Sequence, residues 1–256
     1  MNSISITGKM HPGFDKILNE EAQEFILKLH KKFGDTRKSL MIKRKEIHNK
    51  ILSGEMPGFL KETESIRNGN WQADPVPEDL RDRRCEITGP AEKKMMINAL
   101  NSGATIFMAD LEDSITPNWF NQIQGQQNLI DAHERKLEYT SPEGKEYRLN
   151  NDGLATLILR PRGWHLDEKH IQIDGETACG TLVDAGLYLF HNIKRTLEKG
   201  TGPYFYLPKL ENHLEARLWD EVFTFSEEEL GVETGTIKAT VLLETILAAF
   251  EMEEII

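Results

Sequence analysis

The chain has 256 residues, of which 39% are hydrophobic and 29% charged, a composition that can build one large globular domain. Its formal net charge of -11 argues against a nucleic-acid-binding protein, because such proteins neutralise phosphates with clustered lysine and arginine. No apolar run reaches the roughly 18–20 residues needed to cross a bilayer, so no membrane partner is expected.

Residues 1–85 are predicted to form an N-terminal helical clasp and a connector. Residues 15–54 carry apolar side chains at helical spacing, with an expected break at Gly34-Asp35. Residues 56–82 contain three prolines and are interpreted as an extended surface connector.

Residues 86–256 show a regular alternation of strand and helix patterns. Near-continuous apolar runs that are each followed by a helical pattern predict parallel strands buried on both faces, at residues 104–109, 155–160, 203–208 and 237–243. Residues 137–149 surround a Ser-Pro-Glu-Gly turn and predict a small inserted β-hairpin. The order of elements predicts an α/β fold.

Ionisable residues follow each predicted strand. In a parallel βα barrel the carboxyl ends of the strands meet at one face, where active sites lie. Helix capping alone could explain some of these residues, but three carboxylates within four positions repel one another unless a cation or base is near. The residues are Asp110, Glu112 and Asp113 after the first run, Arg160 and Arg162 around the end of the second, Lys209 after the third and Glu244 after the fourth.

Carboxylates beside an arginine favour Mg²⁺, which usually binds through one or two carboxylates and keeps several waters. No histidine pair at metal spacing is present, which disfavours zinc, and no glycine-rich phosphate motif appears.

Several ordered blocks resemble the A-type malate synthases. The resemblance extends from about Met56 to the last residue, and the N-terminal helices are compatible with it. The blocks are Asp-Arg-Arg-Cys-Glu-Ile-Thr-Gly-Pro ending at Pro90, Phe-Met-Ala-Asp-Leu-Glu-Asp-Ser ending at Ser114, Arg-Pro-Arg-Gly ending at Gly163, Gly-Pro-Tyr-Phe-Tyr-Leu-Pro-Lys ending at Lys209, and Gly-Thr-Ile-Lys-Ala-Thr-Val-Leu-Leu-Glu-Thr ending at Thr245.

The resemblance implies a Mg²⁺-dependent condensation of acetyl-CoA with glyoxylate and water to give malate and CoA. It implies a TIM (β/α)8 barrel, of which about the first four βα units are expected here. Arg162 matches the arginine that stabilises the acetyl-CoA enolate and contacts glyoxylate. Glu244 matches a magnesium ligand that also lies at the substrate, and Asp110, Glu112 and Asp113 match the acidic loop around the waters of the metal.

By the same resemblance, a second magnesium ligand and the aspartate that removes the methyl proton belong to segments beyond Ile256. The chain alone is therefore expected to lack synthase activity and to be poorly stable without a partner.

Two alternatives remain open at this point. One is an acyl-CoA lyase similar to the citrate lyase β-subunit, and the other is a truncated, non-catalytic binding module. A homo-oligomer is possible. Cys85 and Cys179 are too isolated for a disulfide framework, which favours the cytoplasm, with a peroxisome or glyoxysome expected for a eukaryotic source.

Overall fold

The centre of the molecule is a parallel β-sheet, seen in a computed structural model that describes residues 3–256. Its five strands are β2 (Glu86–Pro90), β3 (Ile106–Asp110), β6 (Thr156–Arg160), β9 (Tyr204–Leu207) and β10 (Lys238–Val241). They lie side by side in the order β10-β9-β6-β3-β2, and each neighbouring pair is parallel.

The α/β class with a parallel central sheet is therefore confirmed, and the sheet is part of an unclosed barrel. The number of strands differs from the expectation of four, because Glu86–Pro90 adds a fifth at one edge. Only one of its residues is fully buried, so it lacks the continuous apolar run that marks an interior strand.

A helix follows each strand, as the alternating pattern predicts. All five residues of β3 are buried, because helices cover one face of the sheet and a small apolar cluster, in which Ile106 packs with Leu80 and Ile158, covers the other. The helices are α4 (Lys93–Leu100), α5 (Trp119–His133), α6 (Gly180–Glu198), α7 (His213–Leu230) and the short α8 (Ile246–Ala249), followed by α9 (Met252–Ile255).

Two antiparallel elements are inserted between these units. The hairpin predicted at residues 137–149 is present as β4 (Glu138–Thr140) and β5 (Glu146–Arg148). A second antiparallel sheet, absent from the sequence interpretation, joins β1 (Ile4–Ile6), β7 (Asp167–Ile173) and β8 (Glu176–Cys179).

The N-terminal segment forms the four-residue helix α1 (Phe14–Ile17) and then one long helix, α2 (Glu20–Leu52). The predicted break at Gly34-Asp35 is wrong, because α2 runs through both residues without interruption. A single glycine costs a helix only about 1 kcal/mol. Burial of an apolar stripe against the barrel offsets this cost, through Phe25, Leu29, Phe33 and Leu40.

The connector is mostly irregular, as predicted, and contains α3 (Glu64–Arg67) and a 3₁₀ turn (Glu78–Leu80). Arg67 pairs with Glu254, and the Phe59 ring lies against that of Phe250, so the connector packs on the last described helix. In the part of the chain that the structure describes, no helix is long and apolar enough to span a membrane.

Replacing Gly34 with alanine is expected to raise the free energy of unfolding by about 0.5–1 kcal/mol. An added Cβ meets no atom within 4 Å, and the backbone is already helical. Urea denaturation measures the change. The control is Gly231→Ala, which should cost about 1 kcal/mol because Gly231 ends α7 with a left-handed φ of 70°. A destabilised Gly34→Ala variant would contradict the expectation.

Candidate active site

The polar residues at the strand ends converge at the carboxyl edge of the sheet. Asp110 is the last residue of β3 and lies in register with Arg160, the last residue of β6. Lys209 follows β9 by two positions and Glu244 follows β10 by three. We call the group the strand-end cluster, which consists of Asp110, Glu112, Asp113, Arg160, Lys209 and Glu244.

Asp110 holds Arg160 in place. Arg160 Nε donates to Asp110 Oδ1 at 2.8 Å, and Nη2 donates to Oδ2 at 2.5 Å. Asp110 also accepts from the backbone N–H groups of Glu112 and Ser114 and from the Ser114 hydroxyl. Burial opposes its ionisation, but the bonds from Arg160 and Ser114 hold the pKa of Asp110 below its ordinary value. Asp110 thus shapes the loop and orients the guanidinium.

The ammonium of Lys209 lies among three carboxylates. Its Nζ is 3.0 Å from Asp113 Oδ2, 3.2 Å from Glu244 Oε2 and 3.9 Å from Glu112 Oε2. The φ of Lys209 is 55°, a left-handed conformation that non-glycine residues seldom adopt and that is often found at functional sites.

The clasp helix fixes the backbone of this loop. Arg44 of α2 donates from Nη2 to the carbonyl of Lys209 at 2.7 Å, and its guanidinium makes two hydrogen bonds to the fully buried Glu215. Asn212 caps α7 by accepting from the N–H groups of Leu214 and Glu215, as the Asn-Glu spacing predicts. Helix α2 therefore positions a loop that carries a site residue.

Glu112 is buried and incompletely hydrogen-bonded. Its Oε1 accepts from the Gly163 N–H at 3.2 Å, whereas Oε2 has no hydrogen-bond partner among the described residues. Burial raises the pKa of Glu112 to about 7, and the positive charge of Lys209 only partly opposes this. A buried carboxylate oxygen without a donor is costly unless a cation or water satisfies it.

This pKa predicts a pH-dependent stability. In the folded state Glu112 keeps its proton up to about pH 7, whereas the unfolded chain loses it near 4.5, the ordinary value. Its contribution is therefore complete below pH 4.5 and is lost as the pH rises through 7. The loss is at most about 3–4 kcal/mol, at roughly 1.4 kcal/mol for each unit of pKa.

The measurement is urea denaturation at pH 5 and pH 8 in EDTA, for the wild type and for Glu112→Gln. The variant cannot ionise at this position, so it should lose less stability than the wild type between the two pH values. An identical pH dependence in both proteins would contradict the assignment.

Arg162 lies in a different environment from the strand-end cluster. Its guanidinium donates from Nε and Nη2 to Asp184, at 2.9 and 2.7 Å, and from Nη1 to Glu168 at 2.9 Å. Burial works against its charge, but Asp184 and Glu168 together hold the pKa of Arg162 above its ordinary value. Among the described residues, its side chain makes no hydrogen bond to the cluster.

The structure thus brings together Glu244 and the three acidic residues Asp110, Glu112 and Asp113, but it does not bring the Arg162 guanidinium into contact with them. The sequence pattern placed Arg160 and Lys209 at strand ends, but the family resemblance gave neither of them a role. Position after the strand does not separate Arg160 from Arg162, because Glu112 and Lys209 also lie two residues past a strand end and still reach the cluster.

The donor set of the cluster fits a hard cation such as Mg²⁺ in part. Within residues 3–256, no group of three or more histidine, cysteine or carboxylate side chains forms an assembled metal site. Glu112, Asp113 and Glu244 nevertheless surround one positive charge, and Glu112 presents a buried oxygen without a donor. Carboxylate oxygens are the ligands that Mg²⁺ prefers.

Parallel βα units with acids and bases at the carboxyl ends of the strands define an enzyme of the TIM-barrel class. Two family models match the chain, the malate synthase N-terminal domain over residues 2–65 and the malate synthase TIM barrel domain over residues 156–256. The chain belongs to the malate synthase family.

Curated relatives match along almost the whole chain. The malate synthase of Myxococcus xanthus is 52% identical over 253 residues, which are 99% of this chain and 47% of the relative. That of Dictyostelium discoideum is 52% identical over 258 residues, which are 100% of this chain and 47% of the relative. The glyoxysomal malate synthase of Gossypium hirsutum is 48% identical over 256 residues, which are 98% of this chain and 45% of the relative. The chain spans about half the length of these relatives. The lyase alternative is not favoured.

Proposed function

We propose that the complete gene product condenses acetyl-CoA with glyoxylate and water to give malate and CoA, as a transferase of the glyoxylate cycle. The observation that carries the proposal is the strand-end cluster, in which an arginine, a lysine and several carboxylates meet at the carboxyl edge of a parallel sheet. The names of the curated relatives support the same reaction.

The proposed cation is Mg²⁺, with Glu244 as the direct ligand and Glu112 and Asp113 as residues that would hold its waters. Bound there, Mg²⁺ would supply Lewis-acid activation of the glyoxylate aldehyde. Asp110 is assigned no direct contact with the cation, because its two oxygens already accept five hydrogen bonds. Two come from Arg160, two from Ser114 and one from Glu112.

The geometry favours Arg160 over Arg162 as the arginine that meets substrate charge. Deprotonation of the acetyl-CoA methyl group places negative charge on the thioester oxygen, and a fixed positive group must face that oxygen. Arg160 is fixed by Asp110 and borders Asp113 at 3.4 Å. The donors of Arg162 are already used by Asp184 and Glu168. We therefore assign the stabilisation of the enolate to Arg160, and not to Arg162. Arg162 is assigned a structural role.

The domain division at residue 85 stays a proposal. Strand β2 starts at Glu86 and pairs with β3, which supports the boundary. Helix α2, however, shares the main apolar core with the barrel helices, so the clasp and the barrel are packed as one unit.

We propose a cytoplasmic enzyme, or a peroxisomal or glyoxysomal one if the source is eukaryotic, because relatives from Gossypium hirsutum and Candida tropicalis are named glyoxysomal.

The test measures CoA release from acetyl-CoA by the complete gene product, with malate identified by mass spectrometry. Release should require both glyoxylate and Mg²⁺, and it should stop in EDTA. Cleavage of malyl-CoA without condensation of the free substrates would instead indicate an acyl-CoA lyase.

A further inference from the structure

Lys209 lies among the carboxylates of the strand-end cluster, where its positive charge can balance their negative charge before a cation binds. Asp113 and Glu244 each form a direct ion pair with its Nζ, and Glu112 Oε2 lies 3.9 Å away. Ionised carboxylates gathered around one point repel one another unless positive charge lies between them. The Lys209 ammonium is thus placed where a divalent cation would meet the same three groups.

The backbone and the side chain of Lys209 are held very differently. Its N–H donates to Glu244 Oε1 at 2.9 Å, and its carbonyl accepts from Arg44, so the main chain is fixed at both ends. The side chain is about one-third exposed and carries several rotatable bonds. It can leave the carboxylates without moving the loop.

A second, independent observation comes from Glu112. Its side chain is 97% buried, yet Oε2 has no hydrogen-bond partner in the described part of the chain. Two charged groups, Lys209 Nζ and Arg160 Nε, each lie 3.9 Å from this oxygen, which is beyond hydrogen-bond reach. The lysine therefore balances the charge of the site but does not satisfy all of its oxygens.

We propose that Lys209 is the internal counterion of the cation site and competes with the divalent cation for it. Without the cation, its ammonium neutralises Asp113 and Glu244. When the cation enters, the ammonium leaves, and Glu112 gains the partner that it lacks. This inference rests on the proposed function, since the competing ion is the Mg²⁺ of that site.

The first test measures Mn²⁺ binding to the complete gene product without substrates, from the electron paramagnetic resonance signal of free Mn²⁺. Lys209→Met should bind Mn²⁺ on the order of tenfold more tightly than the wild type, because a like charge a few ångströms away is removed. The control is Lys209→Arg, which keeps the positive charge and should not bind more tightly than the wild type. Circular dichroism checks that each variant is folded.

The second test uses only the wild type and so does not depend on a variant that folds. A lysine held between two carboxylates is shielded from amine-reactive reagents. Mg²⁺ should therefore increase the labelling of Lys209, read by peptide mass spectrometry, several-fold relative to exposed lysines such as Lys136.

The outcomes separate this inference from the proposed function. Mn²⁺ binding that is unchanged or weaker in Lys209→Met, or Lys209 labelling that Mg²⁺ leaves unchanged, overturns the counterion role alone. A wild type that binds no divalent cation at all overturns both the counterion role and the cation of the proposed function.

Discussion

Replacing Arg160 with methionine in the complete gene product is expected to lower kcat about 10²–10³-fold, the usual cost of removing one group that stabilises a developing oxyanion. The fold should survive, because Asp110 still accepts hydrogen bonds from the backbone N–H groups of Glu112 and Ser114 and from the Ser114 hydroxyl. Arg160→Lys should give an intermediate kcat, since it restores the charge but not the two-point bond to Asp110.

Steady-state kinetics of CoA release measures this effect. Arg148→Lys serves as the matched control, because the Arg148 side chain is 68% exposed and lies on the inserted hairpin. It should leave kcat unchanged. An Arg160→Met enzyme with at least one-third of the wild-type kcat would exclude Arg160 from the proposed role.

Replacing Arg162 with methionine is expected to reduce the free energy of unfolding by about 3–5 kcal/mol, because removing one partner leaves buried charge uncompensated. Asp184 and Glu168 are both nearly inaccessible and both bind this guanidinium. They connect the turn after β6 to helix α6 and to strand β7, so their loss loosens three elements together.

Urea denaturation measures the loss, and a second substitution tests its cause. Adding Asp184→Asn to Arg162→Met removes one of the two carboxylates that the first substitution leaves without a partner, and it should recover part of the stability. If Arg162→Met instead keeps wild-type stability and abolishes turnover, then Arg162 contacts the substrate and the roles of the two arginines are the reverse of those proposed.

Local sequence patterns were sufficient to predict the elements that have strong periodicity. The buried runs of β3, β6, β9 and β10 and the turn of the β4–β5 hairpin appear where the sequence indicates them. The end of α2 was also predictable, but its continuity was not. Whether a helix continues through a glycine depends on what its apolar face packs against, and α2 packs against α6 and α7, more than 100 positions further along the chain.

The elements that were missed depend on distant pairing. Strand β7 reads Asp-Glu-Lys-His-Ile-Gln-Ile, which shows little apolar alternation, and its partner β1 lies at the other end of the chain. One signal was available, because Asp174-Gly175 is a typical hairpin dipeptide and both residues adopt positive φ, 51° and 84°.

The strand-end cluster could be predicted as a group but not in its internal pairing. Knowing that strand ends converge was enough to select Asp110, Glu112, Asp113 and Glu244. The choice between the two arginines of Arg-Pro-Arg-Gly required the partner residues. Asp184, which lies on helix α6 and 22 positions after Arg162, accepts hydrogen bonds from the Arg162 guanidinium. No local pattern marks that contact.

The most direct test of the cation site is Mg²⁺ binding to the complete gene product, measured by isothermal titration calorimetry for the wild type and Glu244→Gln. A ligand carboxylate replaced by a neutral amide should weaken Mg²⁺ binding about tenfold or more. The half-saturating Mg²⁺ concentration in the CoA-release assay should rise in parallel. Equal Mg²⁺ affinity in both proteins would contradict the assignment of the strand-end cluster as the cation site.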